Sequence, residues 1–280
     1  MLCALYSVEY PQIPKFKLEK MTQKAPTCFI SHGAPSFAIE QDELSDYLDD
    51  LGQSLKNVKA ILIVSPHWQT QQLEVMTTAK PTTIHDFYGF PEALYSLQYP
   101  ASGNPSLARQ VIELLAQHKI DATENSSQGY DHGAWVPLIH LLPKHQLPVF
   151  QISLPTNFNP KMTFDLGKAI ASLRDEGVMI IGSGGLTHNL YELQPKESKP
   201  EHYIEEFVNW MDDKVKSKDF EQLVNYRTLA PHSKRAHPTD EHLLPLFIAL
   251  GASHKNEQLT IVENQIYYGI LSTKSYFWGV

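Results

Sequence analysis

Thirteen histidines in 280 residues are unusually many for this length. Five of them stand in short runs built from Gly, Pro, Ser, Thr and acidic residues: Ser31-His32-Gly33-Ala34-Pro35, Ser65-Pro66-His67-Trp68, Tyr130-Asp131-His132-Gly133, Leu186-Thr187-His188-Asn189 and Thr239-Asp240-Glu241-His242. Neutral imidazole is the commonest metal ligand, and its ordinary pKa lies close to neutrality, so such a set can hold a divalent cation, carry protons, or do both. Taken singly, each has a plainer reading as a hydrogen-bonded loop residue. What lifts the set above that reading is its placement after apolar runs.

The elements that must position these residues alternate short apolar runs with helical periods, the signature of a mainly parallel or mixed central sheet flanked by helices. Residues 27–30, 60–64, 149–154 and 178–181 read as buried strands. His32 and His67 fall just past the carboxyl ends of the first two, and the Gly-rich loop after the fourth ends in His188. In an open α/β sheet, ligands collect beyond the carboxyl ends of the strands, which places three of the histidines at one rim. Asn104-Pro105 predicts a helix start, Thr163 a cap for a second helix ending at Gly177, and residue 202 the start of a third. Thr239 is expected to cap a last helix running to Gly251, with His242 in its first turn, where the helix dipole would keep the ring neutral. Trp68, Tyr88, Phe90 and Trp135 flank the motifs and would serve either as pocket walls or as core. His118, His140, His145, His202 and His254 read as solvated surface, whereas His85, His232 and His237 adjoin motifs and stand between the two readings.

Composition bounds the rest. An apolar content of 42% over this length can bury the core of a single domain. Residues 27–280 are expected to form that domain, and residues 1–26 an N-terminal extension, with Met21 as an alternative start. That extension lacks the basic region and sustained apolar core of a secretory signal. No stretch of eighteen apolar residues spans a bilayer. Two cysteines, Cys3 and Cys28, are too few for a disulfide framework or a thiolate metal site, which fits a cytoplasmic protein. A formal charge of −8 without a Lys/Arg cluster lacks the footprint of a nucleic-acid binder. Gly182-Ser183-Gly184-Gly185 has neither the Lys-Ser/Thr of a P-loop nor a dinucleotide spacing, and no GxSxG nucleophile elbow is present.

The segments SHGAP (31–35), SPHW (65–68), TIHDFYGFPEALYSLQ (83–98), YDHGAW (130–135), GSGGLTHNL (182–190) and PTDEHLL (238–244) together resemble the 4,5-DOPA extradiol dioxygenase family, class III extradiol enzymes related to the β subunit of protocatechuate 4,5-dioxygenase. The resemblance covers roughly residues 26 to 275. It implies metal ligands at His32 and His67, with a third from the Glu241-His242 pair. In the protocatechuate branch this third ligand is a carboxylate, and in the DOPA dioxygenase-like branch a histidine, which gives His242. His188 matches the family's acid/base histidine and a fourth ligand in zinc-loaded members, and His132 a second pocket histidine.

The resemblance also implies one mononuclear non-haem metal, Fe(II) for dioxygenase activity or Zn(II) in the purified protein, and the opening of a catechol, DOPA-like or another dihydroxybenzene, by O2. Two other readings remain for the same residues: a zinc-dependent hydrolase or lyase in which the metal activates water, and a non-catalytic metal-binding protein. Nothing in the sequence fixes the ring substituent or the oligomeric state.

Overall fold

The computed structural model describes residues 24–263 and 265–280. Strands whose every side chain is buried must be covered on both faces, the usual condition of parallel sheets. Four of the strands buried in this way are β1 (Thr27–Ser31), β2 (Ala60–Val64), β3 (Val149–Gln151) and β4 (Val178–Gly184). They pair in parallel in the order β3-β2-β4-β1. Beyond β1 the sheet continues through two strands near the carboxyl terminus, β5 (Leu259–Val262) and β6 (Ser275–Trp278). Strand β6 is antiparallel to β1, and β5 lies outside it, antiparallel to β6. The sheet is therefore six-stranded and mixed.

Helices cover both faces. On one side Leu48 of α1 (Glu43–Ser54), Val111 of α2 (Pro105–Gln117) and Leu138 of α3 (His132–Leu141) pack with Ile61 and Ile63. On the other side Phe207 and Met211 of α5 (His202–Ser217) and Phe247 of α6 (Leu244–Ala252) pack with Phe29 and Tyr276. Helix α6 is buried all round, against the sheet and against α4 (Pro160–Ile170). No helix among the described residues is long and apolar enough to cross a membrane.

Several expectations hold and others shift. The Asn104 side chain accepts the Leu107 amide at 3.1 Å, capping α2 as expected. The run 149–154 does not stay one strand. Ser153 leaves the sheet to bond Glu74, donating its amide to the Glu74 carbonyl at 2.9 Å and accepting the Glu74 amide on its hydroxyl at 2.8 Å, and Leu154–Pro155 then pairs with Gln69–Thr70. The cap of α4 is Asn159, followed by Pro160, and Thr163 lies one turn inside, its hydroxyl donating to the Asn159 carbonyl at 2.9 Å. Gly177, at φ 91°, does close the short 3-10 turn after that helix. Helix α6 starts at Leu244: the Thr239 hydroxyl bonds the Glu241 carboxylate at 2.9 Å instead of capping it, and residues 241–243 form a turn closed by the Leu244 amide on the Asp240 carbonyl at 3.1 Å. His242 therefore sits in the turn before the helix, and the dipole argument for its neutrality does not apply.

Of the expected extension 1–26, residues 1–23 lie outside the described residues. Ala25 is buried, donating its amide to the Arg174 carbonyl at 2.9 Å and accepting from the Arg174 guanidinium at 2.7 Å.

Candidate metal centre

Strands β1, β2 and β4 end side by side, and the segments leaving their carboxyl ends face one shared space. His32 comes directly after β1 and its amide donates to the Gly184 carbonyl at the end of β4 at 2.9 Å. The first amide after β4, Gly185, donates to the carbonyl of His242 at 2.8 Å, tying the turn before α6 to the same strand end. His67 stands three residues past β2, its amide on the Ser65 hydroxyl. His132 is the first residue of α3, capped by the Asp131 side chain, which accepts the Ala134 amide at 3.2 Å.

These backbone ties bring one ring nitrogen each from His32, His67 and His242 within 4.8 Å of one another. His32 and His67 approach to 3.3 Å between their Nε2 atoms. The outer nitrogens of His32 and His242 set the tautomers of those two rings. The Ser183 hydroxyl donates to the Gly133 carbonyl, so it accepts from His32 Nδ1 at 2.9 Å, and the His32 Nε2 lone pair points inward. His242 Nδ1 donates to the Glu241 carboxylate at 3.0 Å, and His67 Nδ1 faces the Asp86 carboxylate at 3.6 Å. At 3.3 Å the Nε2 atoms of His32 and His67 are close enough to bind one cation together. Nitrogens bound about 2.0–2.1 Å from one tetrahedral ion are separated by about this distance. The donor set thus fits a single divalent metal.

Electrostatics favours the neutral rings that a metal requires. His32 and His242 are buried, at 2% and 7% exposure, and burial together with the neighbouring imidazoles holds both pKa values well below the usual histidine range. Burial likewise lowers His67 to about 3, outweighing the pull of Asp86, and His188 to about 4 against the pull of Glu241. The His188 ring stacks on His242, centroids 3.4 Å apart and planes 7° from parallel, and forms a donor group with His242 and Glu241 instead of with His32 and His67. His132 lies 3.8 Å from His67, ring to ring, with its Nδ1 on the Asp86 carboxylate at 2.9 Å. Asp86 also accepts the His132 amide at 2.8 Å. Although burial opposes ionisation, these hydrogen bonds and the His132 ring hold its carboxyl below the usual range.

A cavity of about 530 Å³ opens over the five histidines. Tyr88 and Phe90 line it, as the flanking-aromatic reading allows. Trp68 and Trp135 do not: both are core, and the Trp135 indole donates to the Ile84 carbonyl at 3.0 Å. Sequence reasoning missed Asp86, Phe87 and Ser183, whose only signal was their presence within motif segments.

Outside the site, His237 is wholly buried on the Leu186 carbonyl at 2.9 Å, His85 bonds the Leu97 carbonyl at 3.0 Å, and His232 pairs with Glu206. His118 and His202 are exposed as expected. By contrast, His140, His145 and His254 are half-buried against Phe37, Tyr99 and Lys24.

Residues 26–279 match the family described as the catalytic LigB subunit of aromatic ring-opening dioxygenase. A protein from Beta vulgaris named 4,5-DOPA dioxygenase extradiol is 38% identical over 254 residues, 89% of this chain and 95% of the relative. One of the same name from Escherichia coli (strain K12) is 35% identical over 260 residues, 90% and 94% of the two chains. The crystal structure of an uncharacterized protein from Escherichia coli K12 superposes with a TM-score of 0.75 at 30% identity, covering 91% of this chain and 99% of that one. Six motifs in order, a mixed α/β sheet with imidazoles gathered at its carboxyl rim, and relatives matched over nearly their whole length converge on one conclusion: the chain belongs to the LigB family of catalytic subunits and is an extradiol aromatic ring-opening dioxygenase.

Proposed function

We propose that this enzyme opens a catechol ring with O2, with His32, His67 and His242 holding one Fe(II) ion and residues 27–280 forming the catalytic unit. The observation that carries the reading is the meeting of three imidazole donors within 4.8 Å, each with its outer nitrogen facing a hydroxyl or carboxylate. Such second partners fix ring orientation and raise ligand basicity. Bound there, Fe(II) would bring catechol and O2 together and supply the electron transfer between them, which Zn(II) in the same donor set cannot do. Relatives named for DOPA dioxygenase activity support a catechol as the substrate class.

The chain's own residues do the remaining work. His188, neutral above about pH 4, accepts the proton of a catechol hydroxyl. His132, oriented by Asp86, presents its Nε2 to substrate or oxygen. Phe87, Tyr88 and Phe90 receive the flat ring and exclude water from it.

The test is to strip the protein of metal, load it anaerobically with Fe(II), and admit oxygen with a panel of catechols. One O2 consumed for each yellow ring-opened product is expected. The absence of oxygen uptake with every catechol would overturn the reading.

A further inference from the structure

The cavity over the histidines holds far more than a bare catechol ring, and outside the imidazoles its lining is almost wholly apolar. No Lys, Arg, Asp or Glu is among the residues that line it. The apolar character extends outward to the mouth. Of eight large apolar side chains exposed among the described residues, three stand on this one cavity: Tyr88 at 91%, Leu190 at 52% and Leu193 at 48%. Exposed apolar surface concentrated at a pocket rim marks a surface that a ligand covers.

Charged side chains beside this lining have partners within the protein. Lys196 and Glu40 border a smaller neighbouring cavity and pair with each other at 2.8 Å. Arg235, whose carbonyl accepts from the Asn189 side chain, pairs with Glu192 at 2.7 Å. Asp86 and Glu241, the carboxylates beside the imidazoles, are held by His132 and His242. A carboxylate on the substrate would meet no Lys or Arg on this lining, and shedding its water without a partner is costly.

We infer that the preferred substrate is a catechol carrying an uncharged apolar substituent of several carbons, seated against Tyr88, Leu190 and Leu193, and that the zwitterionic side chain of DOPA is disfavoured. This inference rests on the proposed ring-opening activity and narrows its substrate. Each methylene moved from water onto such a surface favours binding about fourfold, so a butyl chain, even partly covered, is expected to gain at least tenfold.

The test compares catechol, 4-butylcatechol and DOPA on the Fe(II)-loaded enzyme, alongside anaerobic calorimetry of 4-butylcatechol and DOPA binding. The expected result is a kcat/KM for 4-butylcatechol at least tenfold above those of catechol and DOPA, with the same order of affinity by calorimetry. The double substitution Leu190→Ser and Leu193→Ser, on exposed side chains, should lower kcat/KM for 4-butylcatechol about tenfold more than for catechol. DOPA turned over as well as 4-butylcatechol, or a preference untouched by the double substitution, would overturn the inference while leaving ring opening intact. If none of the three is opened, ring opening itself fails, and the calorimetric order decides the inference alone: DOPA bound as tightly as 4-butylcatechol refutes it.

Discussion

His188 and His132 reach the same cavity by different means, and the difference predicts how each fails. His188 is positioned by the hydrogen bond from its amide to the Ala236 carbonyl and by stacking on His242, whereas the His132 ring is held by a carboxylate. The substitution His188→Ala should leave the donors of His32, His67 and His242 in place and slow turnover about a hundred- to ten-thousand-fold. Metal content beside kcat checks this, and loss of metal in parallel with activity would contradict it. His132 depends on Asp86, so Asp86→Asn should cost about ten- to a hundredfold in kcat while the fold persists, because second partners of this kind have effects of that order. Unchanged kcat would remove Asp86 from the account. The five site histidines were legible because each adjoins a strand end, a helix start or a Gly/Pro turn. Asp86 was not: its role arises only when the segment around residue 86 folds over the start of α3, and an acidic residue in an aromatic-rich run carries no mark of that.

Strand β4 is the element on which the site is assembled. Its end accepts the His32 amide, the first amide after it donates to the His242 carbonyl, and the approach is so close that a Cβ on Gly184 would fall on the His242 carbonyl oxygen. Gly184→Ala is therefore expected to displace the turn bearing His242 and weaken metal binding at least tenfold, while the far-ultraviolet circular dichroism spectrum stays close to that of the parent. Undiminished metal affinity would show that the turn yields without moving the ring. At this scale the sequence was readable where the apolar pattern is unbroken, as in β1, β2, α2 and α5. It misled where side chains override the pattern: Ser153 peels the chain away from β3, and Thr239 spends its hydroxyl on Glu241 instead of capping α6. Strands β5 and β6 went unread. They are four residues each, and β6 opens with a Ser whose hydroxyl accepts the Ser31 amide at 3.0 Å, so its burial comes from its place between β1 and β5 and not from an apolar run.

Across the whole molecule, burial of uncharged histidine links stability to pH. His237, wholly buried, is lowered by burial to about 3, against an unfolded value near 6.5. Between those values the unfolded chain holds a proton that the folded one lacks. The contribution is thus complete above about pH 6.5 and is lost as pH falls toward 3, at up to about 1.4 kcal/mol per pH unit for one site. His237→Phe should flatten the acid limb of urea unfolding between pH 6 and 4 by up to one proton, and an unchanged slope would contradict the assignment. The overall architecture, a mixed sheet covered on both faces with chemistry at its carboxyl rim, was legible because parallel strands and helices leave strong periodic patterns. The pocket's shape depends on loops and was not. The proposed activity requires that three distant imidazoles share one ion. Anaerobic Fe(II) titration of the metal-stripped chain, beside His32→Ala, His67→Ala and His242→Ala, tests this most directly. One equivalent bound by the parent, with at least hundredfold weaker binding in each variant, is predicted; parental affinity in any of the three would contradict it.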